Sequence, residues 1–309
     1  MNKGQVIKTT GSWFYVRPDD SSNLVIECKI KGNYRIKDIK ATNPVAVGDR
    51  VNYSMNEDGT GLISEIDERT NYIIRRSAKL SKQYQLIATN VDQAWLIVSL
   101  VRPRTFPEFI DRFLVSAEAY RIPVNIIFNK TDLLKGESLE DMKILRYIYS
   151  KIGYTCFTAS AITGEGIEPI KEKMKDKLNV FSGNSGVGKS TLINRIDPKL
   201  DLKTAEISEA HKTGKHTTTF AEMYPLSFGG DIIDTPGIRG FGLIDFDREE
   251  LFHFFPEIFR ESHNCRFHNC LHLNEPGCAV IKAVEEGEIF ESRYISYLNM
   301  LEGKESGYR

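Results

Sequence analysis

Long apolar runs are missing from this 309-residue sequence; the longest, Ala94 to Val101, has eight residues and includes Ser99. Such a run is too short to cross a bilayer and suits a buried strand. The opening MNKGQVIKTTGSWF has no continuous apolar region of the kind a secretion signal carries, so a cytoplasmic protein without a membrane segment is expected. Cysteine is scarce, with five in all, which excludes a disulfide-dense miniprotein. Glycine (23) and proline (11) are far too few for a collagen-like repeat, and 41% hydrophobic residues exclude a wholly disordered chain. Neither sign of charge prevails, since 41 Lys+Arg stand against 42 Asp+Glu. The even total conceals regional balances of 0 over residues 1–70, +5 over 71–243 and −6 over 244–309. Ordinary solvated surfaces reach such imbalances, so charge alone identifies no partner.

The length exceeds one domain, and two or three are expected. Residues 1 to about 68 read as five short strands: Gln5–Thr9, Ser12–Arg17, Leu24–Ile30, Arg50–Tyr53 and Gly61–Ile66. Turn residues separate them, and a small barrel of OB-fold type fits best. The run Trp13-Phe14-Tyr15 either offers stacking rings to single-stranded nucleic acid or forms barrel core with one exposed ring. From about residue 91 strands alternate with helices: VDQAWLIVSLV, a helix over 108–120, IPVNIIF, a helix near 138–151, YTCFTAS, a helix near 166–177, and LNVFSG. That succession predicts a parallel sheet covered on both faces, completed by strands near 219–227 and 230–234.

Gly183-Asn184-Ser185-Gly186-Val187-Gly188-Lys189-Ser190-Thr191 fits the P-loop pattern between an apolar strand and a helix start. Its backbone N–H groups and helix N-terminus suit phosphate, Lys189 the β/γ-phosphates, and the Ser190 hydroxyl a Mg²⁺ ion. Asp234-Thr235-Pro236-Gly237 ends an apolar strand, which places Asp234 for the Mg²⁺ shell and the Gly237 N–H for the γ-phosphate. Asn129-Lys130-Thr131-Asp132 follows the strand IPVNIIF. In an NKxD motif the Asp accepts from guanine N1–H and the exocyclic amine; adenine has no such donor pair and is rejected. Ser160-Ala161 matches the segment whose backbone N–H groups meet guanine O6.

Motif order is informative. The guanine motifs precede the P-loop, and Asp-Thr-Pro-Gly comes last, which reads as a circular permutation of the usual GTPase order. With the Lys215-His216-Thr217-Thr218-Thr219 segment and a cysteine cluster near the C-terminus, the whole chain resembles the ribosome small subunit-dependent GTPase A family. The resemblance implies an α/β fold: a circularly permuted P-loop GTPase domain (69–243) between an N-terminal OB-fold β-barrel (1–68, RNA-binding) and a C-terminal helical zinc-binding domain (244–309). It further implies GTP hydrolysis to GDP stimulated by the 30S ribosomal subunit during late assembly, contact with 16S rRNA, and Mg²⁺ with the nucleotide. A monomer is expected. A GTPase regulating protein partners is the alternative, as is a P-loop kinase or ATPase acting on a small metabolite, against which NKTD argues.

Where many GTPases carry a water-orienting Gln, the residue is Ile238, so slow intrinsic hydrolysis is expected. Thr217, Thr218 and Thr219 are each candidates for the switch threonine, and His216 either positions the attacking water, contacts RNA or packs locally. Gly186 stands where potassium-dependent relatives commonly place an Asn, so no essential K⁺ site is expected. Cys265-x4-Cys270-x-His272-x5-Cys278 offers three thiolates and an imidazole, a set suited to a closed structural Zn²⁺ site. His263 and His268 are rival ligands, and the family resemblance selects His272. Arg75-Arg76, between barrel and GTPase, is either an RNA contact or part of a solvated linker.

Overall fold

The computed structural model describes residues 2–21, 24–31, 43–76, 84–200, 221–234 and 247–303. Five short strands open the chain: β1 (Asn2–Thr9), β2 (Phe14–Pro18), β3 (Ile26–Ile30), β4 (Arg50–Met55) and β5 (Gly61–Ile66). They pair in the order β1-β2-β3-β5-β4, and β4 returns to β1, which closes a barrel. Two-residue alternation sends Val6, Phe14, Val16, Cys28, Tyr53 and Ile63 inward. Of the aromatic run, Phe14 is core, while Trp13 and Tyr15 are half-buried; Lys29 Nζ lies 4.5 Å from the Trp13 ring centre.

An antiparallel pair, β6 (Tyr72–Arg76) and β7 (Tyr84–Thr89), follows the barrel. The sequence reading missed it, because the polar stretch between the two runs carries no hairpin turn signal. The Arg75-Arg76 backbone is therefore strand. Val47 bridges to Ala88, and the fully buried Asp49 accepts from Arg69 Nε and Nη2 at 2.7 Å each and from Thr89 Oγ1 at 2.8 Å. One carboxylate thus ties the barrel to β7 with its charge matched.

The central sheet contains β8 (Gln93–Val98), β9 (Val124–Phe128), β10 (Thr155–Thr158), β11 (Leu178–Gly183), β12 (Glu222–Pro225) and β13 (Asp231–Asp234), in the order β10-β9-β8-β11-β13-β12. All neighbours are parallel except β12 beside β13. Helices α1 (Pro107–Ala119), α2 (Glu137–Ile152), α3 (Ile167–Met174) and α4 (Lys189–Ile196) cover it. Leu96 and Val98 pack in one core with Ile110 and Phe113 of α1 and Met142 of α2. Trp95 and Ile97 pack in the other with Ile170 of α3 and Leu192 of α4. Burial on both faces explains why these strands read as unbroken apolar runs. Strand β1 lies beside β12, with Lys8 opposite Glu222, so barrel and sheet form one ladder of eleven strands among the described residues.

The C-terminal region packs α5 (Pro256–Ser262), α6 (Ala279–Glu285) and α7 (Glu291–Leu301) around Phe255, Ile258, Val280 and Tyr297. The sequence from about 279 to 301 reads as one continuous helix, which the structure breaks between α6 and α7. Gly287 takes a left-handed φ of +76°, which ends the first helix, and the following turn buries Ile289 in the core. This region is fixed to α1 by Arg293, whose Nη1 donates to Asp111 Oδ1 at 2.6 Å and Nε to Glu257 Oε1 at 2.7 Å. Tyr149 and Ser296 hydroxyls also donate to Asp111, and all five side chains are buried. Arg293→Met leaves two carboxylates buried without their cation and is expected to cost about 3–5 kcal/mol. A lowered thermal midpoint checks this; an unchanged midpoint contradicts it.

Candidate functional site

The C-terminal ends of β9, β10 and β11 carry the Asn129–Asp132, Ser160-Ala161 and P-loop motifs to one rim of the sheet. Gly188 caps α4 in a left-handed conformation (φ +92°), its carbonyl accepting from Leu192 N at 2.8 Å. A Cβ there would lie 2.7 Å from Asn129 Nδ2, so the close approach of loop and strand end demands glycine. Within the loop Val187 is buried, Asn184 is half-buried, and Ser185 and Gly186 are exposed. Lys189, Ser190 and Thr191 form the first turn of α4.

Asn129 is the tie between three segments, a role the sequence reading did not give it. Buried to 1% exposure, it donates through Nδ2 to Val187 O at 2.9 Å and accepts at Oδ1 from Ala161 N at 3.3 Å. Lys130, with φ +65°, donates through Nζ to Gly186 O at 2.6 Å and Arg102 O at 2.5 Å. Burial lowers its pKa from the ordinary lysine value, with Asp132 pulling the other way. The contact with Arg102 brings the loop after β8 into the site; no motif in the sequence marks it. Thr131 opens a short 3₁₀ turn and donates its N–H to Ala159 O at 3.2 Å. Asp132 is exposed and accepts from Ser160 Oγ at 2.6 Å, while Ser160 is fully buried. The Ser160 N–H is committed to Glu165 O at 3.0 Å, which leaves the longer Ala161 bond as the more available of the two. Asp234 ends β13, opposite Glu222 of β12. His216, Thr217, Thr218, Thr219 and Gly237 lie outside the described residues.

A second constellation lies in the C-terminal region. Cys265, Cys270, His272 and Cys278 place their ligand atoms within 4.8 Å of one another. His272 Nδ1 is 3.6 Å from Cys265 Sγ and 3.5 Å from Cys278 Sγ, and the two sulfurs are 3.9 Å apart. Tetrahedral zinc bonds imply edges of about 3.6 Å for S···N and about 3.8 Å for S···S, so this donor set fits such an ion. Burial lowers the His272 pKa, which keeps the imidazole neutral, and pushes the Cys270 thiol up to about 12. Only a nearby cation would make that thiol an anion at neutral pH. Glu275, unremarked in the sequence, shapes the ligand loop by accepting from Leu271 N and Leu273 N at 2.8 Å each and Asn274 N at 3.0 Å. Tyr294 Oη donates to His272 O at 2.6 Å and Tyr297 Oη to Leu271 O at 2.8 Å, which anchors the loop to α7. Among the four ligand atoms of this set no rival histidine takes part.

Residues 66–244 match the family described as RsgA GTPase, and residues 3–63 match the RsgA N-terminal domain. The chain is 58% identical over 305 residues to the small ribosomal subunit biogenesis GTPase RsgA of Bacteroides fragilis, covering 99% of this chain and 98% of that protein. The protein of the same name from Christiangramia forsetii is 53% identical over 310 residues, with the same coverage. Among solved structures, YjeQ from Thermotoga maritima superposes with a TM-score of 0.80 at 36% identity, covering 100% of this chain and 99% of that one. YloQ, described as a circularly permuted GTPase, gives 0.77 at 34% identity, covering 99% and 96%. The fold class expected from the sequence holds: a permuted GTPase sheet after an OB-like five-stranded barrel, with a C-terminal Cys₃His cluster able to hold zinc.

Proposed function

The chain belongs to the RsgA GTPase family, and from that membership we propose that it is an assembly factor of the small ribosomal subunit. It is a GTP hydrolase. The similarity to relatives named for small-subunit biogenesis, which runs the length of the chain, carries the reading of its partner. In this reading residues 1–68 contact 16S rRNA, 69–243 hydrolyse GTP, and 244–309 hold one structural Zn²⁺. The protein acts as a cytoplasmic monomer. GTP favours the subunit-bound state, and hydrolysis to GDP releases the protein.

Convergence at one rim supports the residue roles. Asp132 reads guanine N1–H and its amine, and the Ala161 N–H faces O6. Asn129 and Lys130 hold the rim by bonding to the P-loop at Val187 and Gly186, and Ser160 holds it by bonding to Asp132. The loop from Gly183 to Gly188 cradles phosphate, with Lys189 on the β/γ-phosphates. Ser190 would hold Mg²⁺, with Asp234 in its outer shell and Gly237 near the γ-phosphate. The metal's contribution is charge that offsets the negative charge of the transferring phosphoryl group. Thr217, Thr218 and Thr219 are the candidates for switch closure, and His216 orients the attacking water. His216→Ala is expected to lower subunit-stimulated turnover at least about tenfold while GTP affinity holds; stimulated turnover equal to the unaltered protein contradicts the role.

Co-sedimentation tests the partner. The protein should travel with purified small subunits when loaded with a non-hydrolysable GTP analogue and leave them with GDP. Equal, weak sedimentation in both states overturns the proposal.

A further inference from the structure

Among the described residues the barrel joins the central sheet through one strand pair, β1 beside β12, registered at Lys8 and Glu222. Two ion pairs cross the seam. Lys8 Nζ lies 2.9 Å from Glu222 Oε1, but both side chains are a third or more exposed, so water weakens the contact. Arg17 is held more closely. Its Nη1 donates to Asp231 Oδ1 and its Nη2 to Asp231 Oδ2, each at 2.7 Å, and Nη2 also reaches Gln5 Oε1 at 3.2 Å and Met223 Sδ at 3.6 Å. The two partners retain only 19% and 16% of their side-chain exposure. One guanidinium from β2 therefore touches β1, β12 and β13. A two-pronged bond of this kind fixes orientation as well as distance, which a lysine contact cannot do.

The strands it touches lead directly to the nucleotide site. Strand β12 follows the segment that carries His216 and Thr217–Thr219, and β13 runs from Asp231 to Asp234. The two form a hairpin with Glu222 opposite Asp234 and Pro225 opposite Asp231. Asp231 is also fixed to the root of the P-loop strand: its N–H donates to Lys177 O at 2.9 Å, and its carbonyl accepts from Asn179 Nδ2 at 3.1 Å. From Asp231 to Asp234 is three extended steps, about 10 Å, within a hydrogen-bonded sheet that bends little.

We infer that Arg17 and Asp231 are positioning residues for the subunit-stimulated reaction, joining the barrel and the β12–β13 hairpin into one body. Load placed on the barrel when it docks on RNA then reaches Asp234 through this ion pair as well as through the single β1–β12 strand pairing. The inference rests on the small-subunit reading above.

The test compares Arg17→Ala and the charge-exchanged pair Arg17→Asp with Asp231→Arg against the unaltered full chain. In R17A, GTP turnover without subunits stays within about twofold, and the maximal stimulated rate falls about tenfold or more. The subunit concentration giving half-maximal stimulation stays within about threefold, and the charge exchange restores at least half of the lost rate. An unchanged stimulated rate overturns the inference, as does a loss confined to the half-maximal concentration or shared equally by the basal rate. Absence of stimulation in the unaltered protein sinks the subunit reading instead, and coupling is then read by amide exchange. Exchange in β2 should differ between GDP-loaded and GTP-analogue-loaded protein, and that difference should vanish in R17A; identical exchange in both states of the unaltered protein overturns the coupling.

Discussion

Asp132→Asn should lower GTP affinity about 10³-fold and transfer the preference to xanthosine triphosphate. The Asp132 carboxylate already accepts from Ser160 Oγ at Oδ1, at 2.6 Å, which leaves Oδ2 and the remaining lone pairs for the base. Guanine presents two donors to it, N1–H and the exocyclic amine. Removing the charge and one acceptor sacrifices two charge-assisted bonds, each worth about 1.5–3 kcal/mol. An asparagine offers its NH₂ where xanthine carries a carbonyl, so the altered site matches the altered base. The fold tolerates the change, because Asp132 is exposed and the Ser160 hydroxyl can still donate to the remaining amide oxygen. Competition binding with the three triphosphates of guanosine, xanthosine and adenosine checks it; undiminished GTP affinity contradicts the role given to Asp132.

Cys270→Ser should reduce zinc from one ion per chain to near none and unfold the loop between α5 and α6. Cys270 is 3% exposed, and the region's core includes the ligands themselves: Cys270 and Cys278 pack with Phe255, Ile258 and Tyr297. So small a core would lean on a bound metal, and structural zinc binding in isolated modules is worth about 10–16 kcal/mol. The nucleotide rim should survive, because the cores around β8 and β11 are separate clusters. Zinc analysis with amide exchange over residues 263–278 is the measurement. Full zinc occupancy in C270S, or unaltered protection of that loop, contradicts the assignment.

What was legible in the sequence was local. The P-loop, NKTD and the Cys-x4-Cys-x-His-x5-Cys spacing each compress a chemistry into fewer than fifteen residues, and their order revealed the permutation. Glycine and turn residues marked the barrel strands to within a few positions, and β5 and β11 fall where the apolar pattern placed them. Contacts between distant residues left no such trace. Arg17 and Asp231 are 214 positions apart, and Arg293 and Asp111 are 182 apart; each reads singly as a solvated charge. The β6–β7 pair escaped because its mark is burial of Ile73 and Ala88 in the central core, while the sequence between the strands carries no hairpin turn pattern. Asn129 stood in its motif without a task, since its partners Val187 and Ala161 are adjacent only after folding. The break between α6 and α7 rests on Gly287, and a lone glycine in a helical pattern is a weak stop signal.

Steady-state GTP hydrolysis by the full chain, titrated with purified small subunits and separately with large subunits, bears most directly on the proposed activity. Turnover should be slow alone, as Ile238 in place of a water-orienting Gln requires, and should rise at least about tenfold and saturably with small subunits only. The same basal rate at every concentration of small subunits, or equal stimulation by large ones, would contradict it.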